Sequence, residues 1–302
     1  MPEDRLVRGL VVTGVVVLVV IMAVALVHGL VNSSTSGSRQ ITKTFLVGAH
    51  PLLMINGRHS NVDVHSGSAG SITMQIQAHN SGALLDAGTE LRANQALDNQ
   101  GYDRLNVTTS PAYEDVDYIV TAPAAARVQV AVDSGAIVVN GVSGASVDTG
   151  SGGLDIANVR GPVNMRTDSG DITARNINGA MTIAGESGSV RISDVTGSLS
   201  ATTQSGDVIA QDANLHGQSA LKTTNGSVRF AGTLATQGSY TMETSSGDVD
   251  VMLPANAALQ LNASTASGSV YNAFGSSITG GPSRAQLSAT VMHGSVTIEK
   301  AA

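Results

Sequence analysis

The chain has 302 residues and a formal net charge of −7, which argues against a nucleic-acid partner, since such a partner requires a basic stripe. Its sequence has no Cys, which excludes disulfide frameworks, thiolate metal sites and Cys nucleophiles. Aromatic residues are few (5 Tyr, 3 Phe, no Trp) and charged residues make up 13%, but hydrophobic residues still reach 42%. The composition therefore predicts a folded domain whose core is built from small aliphatic side chains.

Residues 9–31 form a hydrophobic segment long enough to cross a membrane. No charged residue lies between Arg8 and Arg39, and within the segment only Thr13 and His28 are polar. A helix over this segment rises about 34 Å, against a hydrocarbon core of about 30 Å. A cleavable signal peptide is the alternative, but its apolar stretch is shorter, roughly 7–15 residues. We therefore predict an uncleaved, single-pass signal anchor.

The flanks of this segment set the predicted topology. Residues 1–8 form a short head, and residues 32–40 are predicted to be a flexible polar stalk. The basic residues on the two sides nearly balance, whereas a long domain that follows a short head translocates largely regardless of charge. The expected location is therefore the cell membrane, with the C-terminal domain on the extracytoplasmic side.

The rest of the chain is dominated by a repeat. The dipeptide Ser-Gly, or a close variant, recurs at a spacing that begins near 18 residues and widens toward the C-terminus. Gly suits such corners because tight turns often need a positive φ and because neighbouring corners stack backbone on backbone. The predicted structural turn residues are Gly135, Gly152, Gly170, Gly188, Gly206, Gly226, Gly247, Gly268 and Gly294.

Aliphatic residues alternate with polar ones on both sides of each Ser-Gly. The position three residues after the Ser is aliphatic in every repeat, as at Ile172, Val190 and Val208. Steps of two predict short β-strands with one buried face. Each repeat then forms one coil of two strands, and each coil is expected to bury its aliphatic face by lying on the coil that precedes it in sequence. The predicted fold class is all-β, with a single-pass N-terminal transmembrane helix followed by a parallel β-solenoid over residues 128–302.

The residue after Ser-Gly alternates between Asp and Ser, beginning with Asp171, Ser189 and Asp207. In a stack, equivalent positions of successive coils lie about 4.8 Å apart, where like charges oppose one another. Alternation doubles the separation of the carboxylates to roughly 10 Å, near a Debye length. The alternation therefore favours the stacked arrangement.

Residues 41–127 are less regular than the repeats. We interpret them as an N-terminal part of the same solenoid that caps its open end, with Ser66-Gly67 as a degenerate turn. A separate small β domain is the alternative. Near the other terminus, residues 271–286 are predicted to be a loop inserted before the last coil, which would cover that end of the stack.

The residues that could form a metal or catalytic site are explained equally well or better by structural roles. Four histidines cluster in the sequence without the spacing of a metal-ligand motif: His50, His59, His65 and His79. The Asp after Ser-Gly does not fit the nine-residue repeat of calcium-binding β-rolls. Glu114, Asp115 and Asp117 are the clearest carboxylates for a glycosidase-like pair, but a solvated acidic turn explains them equally well. We predict no catalytic residue, cofactor or metal, and the chain is not expected to be an enzyme.

The pattern Ser-Gly-Asp/Ser-aliphatic, followed by a Val-x-Gly corner, resembles the bacterial putative-adhesin domain family, which has a toastrack-like β-solenoid fold and no established function. Ala122-Pro123-Ala124 and Leu253-Pro254-Ala255, each followed by a strand that leads into Ser-Gly, fit the same pattern. The resemblance covers roughly residues 50–300. It implies a domain associated with adhesion or cell-envelope sensing, tethered at the membrane in some members, and it implies no catalytic residues.

The sequence is compatible with three functions. The first is a membrane-tethered, non-enzymatic extracytoplasmic scaffold, an adhesin or a module that binds a surface glycan or an envelope protein. Its ladders of Ser, Thr, Asn and Gln offer many weak polar contacts, which multivalency strengthens. The alternative is a cell-envelope stress sensor that docks to a membrane partner. A β-helix polysaccharide lyase or hydrolase is the second alternative.

Overall fold

The computed structural model describes residues 39–78, 92–97, 103–108 and 116–301. Within these ranges the regular structure is all β-strand, and they contain no helix long and apolar enough to cross a membrane. The predicted head (1–8) and anchor (9–31) lie outside the described residues. The last two residues of the predicted stalk, Arg39 and Gln40, already belong to the first strand.

Seven described strands precede the regular repeats: β1 (Arg39–Leu46), β2 (Pro51–His59), β3 (Val62–Gly67), β4 (Ser71–Ala78), β5 (Arg92–Leu97), β6 (Asp103–Thr108) and β7 (Val116–Pro123). The first repeats contain β8 (Arg127–Ser134), β9 (Ile137–Asn140), β10 (Gly144–Ser151), β11 (Leu154–Val159), β12 (Val163–Ser169), β13 (Ile172–Asn178), β14 (Met181–Ser187), β15 (Val190–Gly197), β16 (Leu199–Ser205) and β17 (Val208–Leu215). The last repeats contain β18 (Gln218–Asn225), β19 (Val228–Leu234), β20 (Ser239–Ser246), β21 (Val249–Pro254), β22 (Leu259–Ser267), β23 (Val270–Asn272), β24 (Ala285–His293) and β25 (Val296–Ala301).

The strands form two sheets whose inner faces share one hydrophobic core. Strands that follow a Ser-Gly turn lie in a 13-stranded sheet, here called sheet A, and strands that precede a turn lie in a 12-stranded sheet, sheet B. Successive repeats pair in parallel, and the partner of Ile172 is Val190, whose next partner is Val208. The prediction of a parallel β-solenoid with two strands per coil is therefore confirmed.

The N-terminal strands continue both sheets beyond the first repeat. The coil of β2 and β3 stacks on that of β8 and β9, and β6 and β7 stack beyond it. At the N-terminal edges of both sheets the pairing becomes antiparallel. In sheet B, β5 pairs with β6, and in sheet A, β4 pairs with β7 on one side and β1 on the other. The turn of the β2–β3 coil is at Ser60, whose N–H donates to the carbonyl of Ser134 at 2.8 Å. The assignment of Ser66-Gly67 as a degenerate turn was wrong, because these residues end β3 opposite Ala122 and Pro123.

The C-terminal coils stack out of sequence order. The last coil, β24–β25, lies between β20–β21 and β22–β23, so that β22 and β23 form the end of the stack. The expectation that each coil lies on its predecessor in sequence is wrong here. The connecting segment after β23 returns along β22, where the N–H of Leu261 donates to the carbonyl of Ser277 at 2.8 Å. The connecting segment therefore covers the edge of β22 at the end of the stack. The last strand in sequence, β25, is paired on both sides, with β21 and β23.

Candidate binding surfaces

The Ser-Gly turns stack in a column along one edge of the solenoid. All nine predicted turn glycines have φ between 127° and 147°, a range that L side chains rarely adopt. A Cβ added at Gly170 would overlap the carbonyl of Gly152, and one at Gly188 would overlap that of Gly170. These glycines thus occupy positions of close backbone approach, and their place in the molecule is structural.

A ladder of buried threonines lies behind the turn column. The residue two positions before the Ser of each dipeptide points inward, and the buried Thr members are Thr149, Thr167, Thr203, Thr223 and Thr244. Thr223 Oγ1 donates to the carbonyl of Gly206 at 2.8 Å, and Thr244 Oγ1 makes the same contact with Gly226. Sequence reasoning missed this ladder, although the recurrence of Thr at a fixed distance from Ser-Gly was a usable signal. The ladder is interrupted at Gly185.

Four strands of sheet A bend at an Asn or Asp in the left-handed region. Seven residues after their Ser, Asn158, Asn176, Asp194 and Asp212 have φ between 51° and 58°. Asn and Asp tolerate this conformation better than other non-Gly residues because their short polar side chains bond locally. Asn176 Nδ2 donates to Asn158 Oδ1 at 2.6 Å, so the side chains of neighbouring bends are linked in a ladder. This second set of structural residues was also not predicted.

Three of the four histidines singled out from the sequence lie within the described residues. His65 Nε2 lies 2.7 Å from Asp63 Oδ1, and both side chains are about half exposed. His50 precedes β2 and His59 ends it, while His79 lies outside the described residues. Among the residues that the structure describes, no group of three or more His, Asp or Glu side chains is placed to hold a metal ion.

Of the candidate acidic residues, Asp117 is engaged in holding a turn. Its Oδ1 accepts hydrogen bonds from the backbone N–H of Asn61 at 3.2 Å and from Asn61 Nδ2 at 2.9 Å. Asn61 Oδ1 in turn accepts the N–H of Ala136, so that three successive coils are joined. Glu114 and Asp115 lie outside the described residues. Asp117 is therefore a capping residue of the stack.

The outer face of sheet B carries polar side chains in register. One outward column joins Ser146, Asn164, Thr182, Ser200, Ala220, Thr241 and Ser288 through direct strand pairing. All of these residues are exposed or half-buried. Since neighbouring strands lie about 4.8 Å apart, the column presents hydroxyl and amide groups at that interval on a rigid surface, with one interruption at Ala220.

The outer face of sheet A carries ion pairs between neighbouring coils. Arg175 Nη2 binds both carboxylate oxygens of Asp155, at 2.8 and 2.9 Å, and Arg229 bridges Asp207 and Asp250 with both distances at 3.5 Å. These pairs are solvent-exposed, so each contributes little to stability.

A cleft of about 330 Å³ opens on this same face, where β17 and β19 shift register. Its walls include the apolar Ile209 and Met252 beside the acidic Asp250 and Glu299. Sheet A thus offers an amphipathic depression, whereas the outward column of sheet B is regular and mostly uncharged.

Comparison with protein families identifies the fold. The Toastrack DUF4097 family matches residues 52–237, more than half of the chain. The chain belongs to the Toastrack DUF4097 family. The resemblance predicted from the Ser-Gly repeat is thereby confirmed. The Toastrack DUF4097 match begins in β2 and ends after β19, and the coils from β20 to β25 continue the same stacking beyond it.

Solved structures similar to this Toastrack DUF4097 chain include two bacterial proteins. One, described as a putative cell adhesion protein from Clostridium sporogenes, is 8% identical, covers 87% of this chain and 100% of its own, and has a TM-score of 0.27. The other, described as a putative adhesin from Parabacteroides merdae, is 13% identical, covers 87% of this chain and 96% of its own, and has a TM-score of 0.33. Among curated proteins, none matches the chain.

Proposed function

We propose that this Toastrack DUF4097 protein is a membrane-tethered, non-enzymatic binding module, with its solenoid on the extracytoplasmic side. The observation that carries the binding role is the in-register polar column of sheet B, in which Asn164 pairs with Thr182 and Thr182 with Ser200. A ligand with a repeating structure, such as a surface glycan, can contact several members of such a column at once. Many weak contacts then add up to useful avidity without a deep pocket.

The rigidity of the column supports this role. Its members project from parallel strands paired on both sides, so their spacing does not change when a ligand binds. Preorganisation of this kind lowers the entropy cost of binding, which matters most where each contact is weak. Membrane tethering rests on the hydrophobic segment 9–31, which is long enough to span a bilayer.

The topology is tested by protease treatment of intact cells that express the full chain with a C-terminal tag. Loss of the tag from the outside, with release of the solenoid, is expected. Protection of the tag in intact cells, with cleavage after lysis, would put the solenoid in the cytosol and refute the extracytoplasmic proposal.

The binding face is tested with the full chain in vesicles on an array of surface glycans. Asn164→Ala combined with Thr182→Ala is expected to lower retention about tenfold, because adjacent contacts of one column are lost together. The matched control combines Thr173→Ala with Ser193→Ala on the outer face of sheet A. Equal retention of the two double variants would contradict a role for the sheet B column.

The cleft on sheet A favours a second candidate function, a sensor that docks to an envelope protein. Arg229 also lines the cleft and is paired with Asp250, which leaves Glu299 as the acidic side chain beside the apolar floor and rim. Such a cleft suits a protein segment that carries an apolar and a basic side chain. Crosslinking in intact cells discriminates between the two functions. A sensor yields one membrane protein whose crosslink is lost in Met252→Lys, and a glycan-binding adhesin yields none.

A further inference from the structure

The predicted anchor and the free end of the solenoid lie at opposite edges of sheet A. The strand nearest to the anchor in sequence, β1, is the first in the order of the 13-stranded sheet, and β23 is the last. Twelve strand steps of about 4.8 Å separate them by about 58 Å. If the chain is tethered as proposed above, β23 is at the membrane-distal tip.

At the tip, the last inward-facing side chain of sheet A is not covered by another coil. Val249, Val296 and Val270 are direct partners at the same inward position, and their exposed fractions are 0%, 0% and 44%. Two further apolar side chains are exposed at this end, Tyr271 at 59% and Ile278 at 54%. In the interior of the stack the next coil covers this position, so the tip resembles an interface without its partner.

One of the two sheet edges at the tip is already closed. The segment around Ser277 and Thr279 pairs with β22, and Leu259 and Thr279 exchange backbone hydrogen bonds of 2.9 and 3.1 Å. By contrast, β23 pairs with β25 alone among the described strands. The open edge of sheet A therefore coincides with the exposed Val270 and Tyr271.

Strand β23 and the segments that flank it lack the charges that usually protect a strand edge, although Lys300 Nζ of the neighbouring β25 lies 5.2 Å from the centre of the Phe274 ring. Residues 255–283 contain no Asp, Glu, Lys or Arg, although the whole chain carries a net charge of −7. Natural sheet edges are commonly blocked by charged side chains, Lys above all, which prevent pairing with another strand. A strand edge without charges of its own offers little attraction to a charged partner and no repulsion to an identical copy. Among partners, a second copy of this chain fits such a surface.

We propose that two copies of this protein bind tip to tip, with β23 of one copy pairing antiparallel with β23 of the other about a two-fold axis. Such a contact is self-complementary, extends sheet A across both molecules and covers Val270. Between copies anchored in facing membranes it produces homophilic adhesion, and this last step rests on the proposed function. The central residue, Tyr271, then faces its own copy across the axis.

The test uses the full chain reconstituted in lipid vesicles, with vesicle clustering followed by light scattering. The wild type is expected to cluster the vesicles. Tyr271→Lys alone and Tyr271→Glu alone are each expected to lower clustering at least tenfold, because like charges then oppose each other at the axis. Mixing Tyr271→Lys vesicles with Tyr271→Glu vesicles is expected to restore it, since opposite charges now meet.

Ile119→Lys is the matched control, because Ile119 is also an exposed apolar strand residue, at 43%, but lies on β7 near the opposite end of sheet A. It should cluster vesicles as the wild type does, and unchanged circular dichroism spectra confirm that all variants fold. A wild type that does not cluster vesicles overturns the inference, as does full clustering by Tyr271→Lys alone. Failure of the mixed vesicles to cluster also overturns it.

Sedimentation of the detergent-solubilised full chain separates this inference from the proposed function. A dimer that Tyr271→Lys converts to a monomer supports the tip contact, whatever the topology in cells. If that dimer forms but protease treatment places the solenoid in the cytosol, the proposed function fails and the contact stands. If the solenoid is outside but the full chain is monomeric at all concentrations, the contact is refuted and the proposed function stands.

Discussion

The backbone N–H of Ser189 donates a hydrogen bond of 2.8 Å to Oδ1 of Asp171, its counterpart in the neighbouring coil. The same relationship joins Ser227 to Asp207, also at 2.8 Å. The alternation of Asp and Ser therefore has a second cause besides charge separation. Each carboxylate accepts the amide of the next turn, and the small Ser that follows adds no competing charge.

Ser189→Asp is expected to lower the melting temperature, because carboxylates at 171, 189 and 207 would then occupy adjacent coils about 4.8 Å apart. The loss should be larger at low than at high ionic strength, since these groups are exposed and salt screens them. Thermal melts in two buffers provide the measurement. Ser189→Asn is the control of similar size, and an equal loss in both variants at both salt concentrations would contradict the electrostatic explanation.

Gly170→Ala is expected to destabilise the protein by more than about 3 kcal/mol or to prevent folding, since overlap with a backbone carbonyl cannot be relieved by a side-chain movement. Gly275→Ala is the matched control. Its φ is +69° but a Cβ there meets no atom within 4 Å, so only the conformational cost of about 1 kcal/mol is expected. Denaturant unfolding of the two variants measures the difference, and similar losses would refute the role of close stacking.

Gly185→Thr is expected to stabilise the protein by about 1 kcal/mol. The substitution restores the Thr ladder and removes the extra unfolded-state entropy of a strand glycine. A Cβ at Gly185 would make ordinary contacts, 3.4 Å from Thr203 Oγ1 and 3.9 Å from Ile172 Cδ1, so the backbone accepts the first atom of a side chain there. Thr203→Val, which deletes a ladder hydrogen bond, should lower the free energy of unfolding by about 1 kcal/mol. A destabilising Gly185→Thr would show that the gap in the ladder is required.

Tyr240 gives the stability a dependence on pH in the alkaline range. Its hydroxyl donates to the carbonyls of Ala235 at 2.9 Å and Leu215 at 3.0 Å, and burial raises its pKa above the ordinary value of 10.0, against the opposing effect of the bond to Ala235. The folded state therefore holds this proton more tightly than the unfolded state does. The stabilisation is complete below pH 10.0 and is lost as the pH rises through the folded value.

Tyr240→Phe should consequently flatten the alkaline decline in the free energy of unfolding. At neutral pH it should cost about 1–2 kcal/mol, because buried carbonyls lose a donor. Denaturant titrations between neutral and alkaline pH provide the measurement. An identical decline in wild type and variant would assign the pH dependence to other groups.

Much of the coil could be read from the repeat. Ile172, Val190 and Val208 were placed in one column because equal spacing from Ser-Gly puts them in equal environments once coils stack. The recurrence of Thr was visible in the sequence, but its structural role was not. An inward polar residue such as Thr203 looks like an exception to the aliphatic alternation until a carbonyl of the neighbouring coil is known to lie beside it.

The structure of a single coil depends on local sequence, whereas the order of the coils at the C-terminal end depends on the tertiary structure. Strand spacing, the inward face and the glycine corners follow from the chain alone, since each depends on residues within one lap of about 18 positions. The position of β24 between β20 and β22 does not, because every coil presents nearly the same inward pattern and several stacking orders satisfy it equally. The complete assembly selects among these orders, through the pairing of β25 on both sides and the covering of β22 by its own connecting segment.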